Sequence, residues 1–572
     1  MKRLISSILT LAMVASLAGC SKKSEETKKT KKNTSETESE ETLPPESDTE
    51  ETEETEETED TSESSETEGS TKGSGSNASG IPGYTVSPNF TIRSDLEKVD
   101  YTITSDYRAY GFPVLSEENS VTKLVKRVDM LTVSDEDTYS QLWNSLDGIF
   151  SPLNSDCDTV YEQKLPSYLD NSAPGSFTID CSTAVVRADS EVFSFVTCRN
   201  TYDPANDSYS TIYRTYNYRT SDAMEYTLND IVSDRGGFAN FFAEYLDNAL
   251  LEDEVSAMRQ VEYLAALISD PNENVPFLLT YDGIYIIDTQ ESGFYMFKIP
   301  AVYAEDYIDM SLFGATPEYY VLQSDAYDHI MWDVDGDGAL DNISAVYEKD
   351  EYDSLISIGI SVNGNVEQLP KSELKYSYMG LYEIYLVKTD EGFYLYAELF
   401  MESSDAVVAV FKYDGSTFKF KSSFPKNLPM INVDGFFYDP ANFTVSSYND
   451  IMGSGYVIDS VSAMGSDGMP EKTIDLGERY QIVATRQEIT VNKFNGSEAT
   501  DETVTLPENS VFSVIGIDLD TRTILCEYLD AVESKNFYFV LQADPAQSDT
   551  DWSIRYNGVE QDELFRGYFY AG

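Results

Sequence analysis

Four runs follow one another with two to four residues between them: "GLYEIYLVKT" from Gly380, "GFYLYAELFM" from Gly392, "AVVAVFKY" from Ala406 and "STFKFKSSF" from Ser416. Each is too short for a typical helix, is rich in Tyr, Phe and Val, and is separated from the next by "DE", "ESSD" or "DG". Such spacing leaves no room for crossovers, so it predicts an antiparallel meander. Asn363-Gly364 in "VNGNV" is a strong short-range hairpin signal, because both residues tolerate the positive φ of a tight primed turn. The 41 Tyr and 28 Phe fit strands that favour aromatics; lining a glycan groove is the other use open to them.

The N-terminal stretch lies at the opposite extreme. From Ser21 to about Asn89 the chain is Ser, Thr, Glu, Lys and Gly, as in "ETEETEETEDTSESSETEGSTKGSGSNASG", and it cannot bury enough apolar surface to offset its ordering entropy. Residues 21–90 are expected to be a disordered tether with a reach of roughly 45 to 50 Å. Its first part is basic (Lys22, Lys23, Lys28, Lys29, Lys31, Lys32), suited either to lying near anionic headgroups or to serving as a plain solubilising spacer. Before it, Lys2 and Arg3 precede an apolar run from Leu4 to Leu17 that is too short to span a bilayer comfortably, which predicts a signal peptide over residues 1–20.

The end of that segment, Leu17-Ala18-Gly19-Cys20, resembles the lipobox of bacterial lipoproteins. The resemblance implies that Cys20 is acylated, with palmitate-type chains, and becomes the first residue of the mature chain. The alternative is an ordinary cleavage site followed by an unrelated cysteine. Two acyl chains suffice for stable anchoring, so the expected location is the outer face of the bacterial cytoplasmic membrane, with the lipid anchor as the membrane partner.

The rest of the chain is too long for one domain. It divides by pattern into an α+β domain (91–322), an antiparallel β domain (323–440), and a looser bridge leading into a small barrel (441–572); the fold class is thus α+β followed by mostly β domains behind a disordered N-terminal tether. The formal charge is −62, and the tether, with 19 acidic residues against 7 lysines, accounts for only −12 of it. The acidity therefore belongs to the folded part. It argues against nucleic acid as a partner and suits cationic ligands or divalent ions, although solubility at a cell surface explains it equally.

After Cys20 the cysteines are Cys157, Cys181, Cys198 and Cys526. "CSTAVVRADSEVFSFVTC" reads as two strands around a turn at Asp189-Ser190, with Val186 and Phe193, and Ala184 and Phe195, on one face. That turn sets Cys181 opposite Cys198 at a non-hydrogen-bonded pair, where side chains approach most closely. A Cys181–Cys198 disulfide is the expected pairing; Cys157 as an alternative partner, or free buried thiols, stay open.

The same hairpin carries a family resemblance. "AVVRADSEVFSFVT", then "YSTIYRTYNYRTSDAMEYTLNDIVSD", the helical "FANFFAEYLDNALL", and "VPFLLTYDGIYIIDTQESGFYMFKIPAVYAEDYIDMSLFG" resemble, in order, the extracellular domain of the lysozyme-sensing anti-sigma factor family (RsiV-like, DUF3298-like). "VDMLTVSDEDTYSQLWNSLDGIF" is similar to that family's N-terminal helix. The resemblance covers about residues 95 to 322 and implies an α+β unit on the outer face of a membrane and a basic protein ligand such as lysozyme. Two departures limit it. The family's Gly-Gly-Ala-His segment is replaced by "RNTYDPANDSYS", and signal and tether stand where a transmembrane helix with a sigma-binding segment would be.

"MWDVDGDGALDNISAVYE" offers carboxylates at loop positions 1, 3 and 5 (Asp333, Asp335, Asp337), glycine at 6 (Gly338), a backbone carbonyl at 7 (Ala339) and Asp341 at 9. Calcium takes six to eight oxygens, and this spacing wraps them around one centre. Position 12 is Ser344 rather than a bidentate glutamate, and the following residues alternate as a strand. The loop therefore resembles the single Asp-rich loops of integrin-like propeller repeats more than an EF-hand, and implies a weak structural calcium site, on the order of 10⁻⁴ to 10⁻³ M. An acidic, solvated turn without metal is the alternative.

Near the C-terminus, "LPENSVFSV" resembles the turn before a strand in bacterial SH3-like domains, some of which bind cell-wall peptides; a generic small barrel is the other reading. His329, the one histidine, is read as a surface or loop residue. No nucleophile elbow, zinc motif or phosphate loop is present, and with 101 acidic residues any pairing of carboxylates is uninformative. The expected function is non-catalytic binding or sensing at the cell envelope, with a basic protein or wall ligand. The competing function is a glycan-processing enzyme using paired carboxylates.

Overall fold

The computed structural model describes residues 84–572 except 118–119, 250–254, 289–294, 325–328, 351, 353, 373–377, 402–405, 429–435, 473–475, 530–536, 546–552 and 569–572. Cys20 and the expected signal peptide, and all but the last few residues of the expected tether, lie outside the described residues. The chain is mostly β. Among the described residues, the helices longer than four residues all end by Ser269, so helix and sheet are mixed early and sheet dominates later.

The first sheet has six strands in chain order. β1 (Tyr101–Pro113) and β2 (Val121–Val133) form a hairpin, and helix α1 (Ser140–Leu169) then carries the chain over to β3 (Phe177–Ala188). β3 pairs parallel to β2, with Leu124 opposite Phe177; a parallel partner cannot be reached by a tight turn, and α1 supplies the crossover. α1 buries Leu142, Leu146, Phe150, Cys157, Tyr161 and Tyr168, a stripe at three- to four-residue spacing or multiples of it that faces the sheet. β4 (Val192–Asp203), β5 (Ser208–Arg219) and β6 (Met224–Glu225) complete the sheet.

A short helix α2 (Leu228–Ile231) follows, started by a capping box in which the Asp230 carboxylate accepts from the Thr227 N–H at 2.8 Å. α3 (Arg235–Ala249) and α4 (Val255–Ser269) then cover a small sheet of β7 (Phe277–Leu279), β8 (Gly283–Asp288) and β9 (Tyr295–Pro300). Phe238, Phe242 and Leu246 pack with Ile284, Ile286, Phe297 and Ile299 in one apolar cluster.

Two sheets come next. β10 (Tyr320–Gln323) joins the five-stranded sheet; β11 (His329–Trp332), β12 (Asp341–Lys349), β13 (Leu355–Val362) and β14 (Asn365–Gln368) make the four-stranded one; and β15 (Tyr378–Thr389), β16 (Gly392–Met401), β17 (Ala406–Tyr413) and β18 (Phe418–Phe424) complete the first. Ile330, Trp332, Ile343, Ile358 and Ile360 of the four-stranded sheet share a core with Leu386, Leu395, Ala409 and Phe411 of the five-stranded one, which makes a sandwich. The opposite face of the five-stranded sheet, with Tyr385, Val387, Tyr394 and Val410, packs against Phe443, Val445 and Val461. Its strands are therefore apolar on both faces.

The C-terminal sheet takes in β19 (Phe443–Asn449), β20 (Gly455–Met464), β21 (Pro470–Lys472), β22 (Gly477–Thr485), β23 (Ile489–Phe494), β24 (Ala499–Leu506), β25 (Val511–Asp518), β26 (Thr523–Tyr528) and β27 (Phe537–Gln542). The chain ends with β28 (Arg555–Tyr556), β29 (Val559–Glu560), α5 (Gln561–Leu564) and β30 (Phe565–Arg566), which returns to pair with β22. This sheet docks on β1 and β2. The Tyr107 hydroxyl lies 2.9 Å from Ser513 Oγ, and Val121 shares an apolar cluster with Ile482, Ala484 and Val511.

The β3–β4 hairpin departs from the register expected of it. Near the turn Ala188 pairs with Phe193, and beyond a bulge at Val186 the pairing becomes Val185 with Phe195 and Ser182 with Cys198. Asp189 lies just beyond β3 and opens the turn rather than forming its centre, since its N–H donates to the Val192 carbonyl at 3.0 Å. Its carboxylate accepts from the N–H groups of Glu191 (2.8 Å) and Val192 (2.9 Å) and from Arg187 Nε (2.5 Å). The slip moves Cys181 opposite Arg199, and Phe193 and Phe195 share a cluster with Val185 and Ala188, while Ala184 and Val186 belong to another. Two effects set it: the connection spans Asp189–Val192, which moves the pairing near the turn two residues along β4, and the bulge at Val186 takes back one, which puts the residues beyond it on the opposite faces.

Candidate metal centre

The Asp-rich loop connects β11 to β12, with Trp332 opposite Asp341 at its base. Two apolar anchors fix its ends. Trp332 is fully buried, and its Nε1 donates to the Tyr320 hydroxyl at 2.7 Å; Val334 is buried in the same cluster. Between and after these anchors the aspartates turn outward. Asp333 is half-buried, Asp335 and Asp337 are exposed, and Asp341 is buried.

The loop closes on its own carboxylates. Asp333 accepts from the N–H groups of Gly336 (2.7 Å) and Gly338 (2.9 Å), Asp335 from that of Asp337 (3.0 Å), and Asp337 from that of Ala339 (2.8 Å). Gly336 and Gly338 have φ of +78° and +87°. A Cβ at either would meet nothing within 4 Å, so backbone conformation and not crowding selects glycine there.

Asp341 is held from a different hairpin. Asn363, at φ +50° in the turn between β13 and β14, donates from Nδ2 to Asp341 Oδ1 at 2.6 Å and accepts the Asn342 N–H on Oδ1 at 2.9 Å. Its own N–H donates to the Asn342 carbonyl at 2.9 Å. The Val334 N–H donates to Asp341 Oδ2 at 3.0 Å. Burial pushes the Asp341 carboxyl above its ordinary range, aided by the charges of Asp335 and Asp333 and opposed by these two hydrogen bonds. The same charges act on Tyr413, whose hydroxyl is pushed up to about 12, first by burial and then by Asp341 and Asp335.

Of the five residues read from sequence as calcium ligands, three come together: Asp333, Asp335 and Asp341 each offer an oxygen within 4.8 Å of the other two. Oxygens sharing a calcium ion at 2.3–2.6 Å lie no more than about 5.2 Å apart, so the donor set fits that ion in type and spacing. Asp337 is outside this group of three carboxylates. Sequence reasoning missed Asn363 as the clamp. A signal was present, because antiparallel β12–β13 pairing that sets Ile343 against Val362 brings Asn363 to Asn342, beside Asp341.

The remaining residues singled out from sequence fall elsewhere. Cys181 Sγ lies 3.7 Å from Cys157 Sγ, and Cys198 accepts from Asn200 Nδ2 at 3.4 Å; all are free thiols. His329 is not a surface residue. It is buried in β11, with its Nε2 3.2 Å from the Tyr303 hydroxyl. Two small, partly open pockets, of about 20 and 10 Å³, flank the buried Lys298–Asp282 pair; each has room for about one water molecule.

No family model and no curated protein matches the chain. Among solved structures, a DUF3298-family protein from Bacteroides fragilis is 14% identical, with a TM-score of 0.28, over 37% of this chain and 95% of that one. A DUF3298-family protein from Pseudomonas aeruginosa is also 14% identical, with a TM-score of 0.27, over 37% of this chain and 96% of that one.

Proposed function

We propose that the chain is a lipid-anchored protein of the outer face of the bacterial cytoplasmic membrane, that it binds or senses a ligand there without catalysis, and that calcium braces its β sandwich. The single observation that carries this reading is the cluster of Asp333, Asp335 and Asp341 locked onto Asn363. Three converging carboxylates held by backbone and amide hydrogen bonds repel one another until a cation joins them. A loop with this few carboxylates and no bidentate twelfth ligand suits the millimolar calcium outside a cell, which agrees with the lipobox-like Leu17–Cys20. Asp333, Asp335 and Asp341 would hold the ion, with Asp337, the Ala339 carbonyl and water completing its shell. Calcium would supply charge neutralisation and cross-bracing of β11, β12 and the β13–β14 turn.

The ligand under this reading is a cationic protein, which the net charge of −62 favours. Titration calorimetry of the full chain with lysozyme, at low and moderate salt and with and without calcium, tests it. Saturable one-to-one binding that persists at moderate salt is expected; heat that disappears with salt would remove lysozyme as the ligand. For the anchor, the wild type should fractionate with membranes and Cys20→Ala should not. Equal partitioning of the two would overturn the location.

A further inference from the structure

We propose that Cys157 and Cys181 form a disulfide that fastens the crossover helix α1 to β3. The two residues are 24 positions apart, and their sulfurs lie 3.7 Å from each other. Both are essentially inaccessible, at 0% and 1% exposure, in an apolar cluster with Leu124, Val128, Tyr161, Phe177 and Ile179. Helix and strand therefore present the two thiols to each other across a packed interface, and closing the remaining gap needs side-chain rotation with little backbone movement. The other cysteines lack such a partner. Cys198 faces Ser182 across the strand pair, and Cys526 lies in the core of the C-terminal sheet.

The surroundings favour Cys157 as the attacking thiol, while Cys181 is held well above its ordinary pKa first by its hydrogen bond with Cys157 and then by burial. Arg199, opposite Cys181 in β4, is held beside α1 by Asp156 at 2.8 Å. The Cys157 thiol lies below its ordinary pKa, chiefly through the hydrogen bond with Cys181 and further through Arg199, against the opposing effect of burial. Oxidation needs a disulfide oxidant, which an extracytoplasmic compartment supplies. The Cys157 thiolate attacks one sulfur of that oxidant, forming a mixed disulfide and releasing one thiolate. The Cys181 thiolate then attacks the Cys157 sulfur, forming the Cys157–Cys181 bond and releasing the second. Two protein thiols are oxidised and one oxidant disulfide is reduced to two thiols. Because both sulfurs are covered once α1 is packed, the exchange belongs to the stage at which the helix docks, and the finished bond is shielded from reductants.

The test uses the full chain, reduced and unfolded, then refolded in a buffer of oxidised and reduced glutathione, unfolded again in denaturant containing N-ethylmaleimide to label every free thiol, and mapped by peptide mass. The expected result is a linked Cys157–Cys181 peptide in most molecules, with Cys198 and Cys526 labelled and a melting midpoint about 5 °C above that of the reduced chain. Cys198→Ala should leave the link intact, so the outcome does not hinge on whether a Cys157 or Cys181 variant folds. Labelling of Cys157 and Cys181 along with Cys198 and Cys526, lasting glutathione adducts, or a Cys181–Cys198 linkage would overturn the proposal.

Discussion

Asp189 ends the β3 side of its hairpin with an arginine of the same chain against it, whereas Asp333, Asp335 and Asp341 gather at the β11–β12 connection with no lysine or arginine paired to them among the described residues. Arg187 and Asp189 are both fully buried; the guanidinium also donates to the Leu312 carbonyl at 2.7 Å and the Thr280 carbonyl at 3.2 Å, and lies over the Tyr281 ring at 5.1 Å. The first connection is neutral in itself and can be sealed in the core. The second carries uncompensated charge and has to stay at the surface, where solvent or a cation reaches it. The two aspartate-bearing connections thus divide into a structural corner and a candidate cation site according to where the balancing positive charge could come from.

Removing that charge from the sealed corner is expected to have the largest effect. Arg187→Met leaves a buried, unpaired carboxylate, and loss of one partner of a buried pair typically costs about 3–5 kcal/mol. Urea denaturation should show that loss equally with and without calcium. A loss under 1 kcal/mol would mean that water reaches Asp189 in the variant, and the contrast between the two connections would fail.

The open loop should show a smaller, calcium-dependent effect. At 10 mM calcium and a dissociation constant on the order of 10⁻⁴ to 10⁻³ M, binding to the native state adds about 1.4–2.7 kcal/mol. Asp333→Asn should abolish this increment while leaving stability in chelator within about 1 kcal/mol of wild type. Differential scanning calorimetry at several calcium concentrations measures both. An unchanged midpoint across the calcium series would make the loop an acidic turn and no more.

The contrast also explains how far the fold and site could be read from sequence. The meander of β15–β18 and the Asn363-Gly364 turn follow from local alternation and from residues that tolerate positive φ, and both are signals carried within ten residues. The Asp-loop spacing is local in the same way. The Arg187–Asp189 corner is not, because Arg187, beside the bulge at Val186, donates to the carbonyls of Thr280 and Leu312, about a hundred residues on, and the four-residue turn and the bulge together set Cys181 opposite Arg199 rather than Cys198. His329 looked like a surface or loop residue because Asp328 precedes it, although Ile330, Met331 and Trp332 follow. Its burial comes from packing beside Tyr303, which only the tertiary structure supplies.

A third situation, a half-buried cation with no carboxylate paired to it among the described residues, tests the same accounting from the positive side. Lys123 reaches the Gly567 carbonyl at 3.1 Å where β2 meets the C-terminal sheet. Burial, with repulsion from Arg479, lowers its ammonium to about 8 from the ordinary 10.5. Between those values the unfolded chain binds more protons than the folded one, so stability should rise with pH from about 8 to 10.5, and below 8 the charged lysine destabilises the fold in full. Lys123→Met should therefore raise stability at pH 7 by roughly 1–2 kcal/mol and flatten that pH dependence. Denaturant midpoints at pH 7 and pH 10 give both readings; a destabilised variant would show that the carbonyl bond outweighs the buried charge.

The smallest expected effect lies at the joint between the loop and the neighbouring hairpin. Asn363→Gly keeps the positive φ available and removes only the amide, so it separates the clamp from the turn. Loss of the bonds to Asp341 and Asn342 should cost about 1 kcal/mol or less in chelator, since the turn itself is undisturbed. Calcium affinity should fall more, by roughly tenfold, because ligands oriented by a second group lose about that much when the group is removed. Asn363→Asp sharpens the point. It preserves an acceptor for the Asn342 N–H but sets a fourth carboxylate beside Asp341, so it should destabilise the chelated protein and regain stability when calcium is added. If Asn363→Gly left calcium affinity unchanged while Asp333→Asn abolished it, the clamp would matter only to the hairpin, and the carboxylates of the loop would hold the ion without help from the next strand pair.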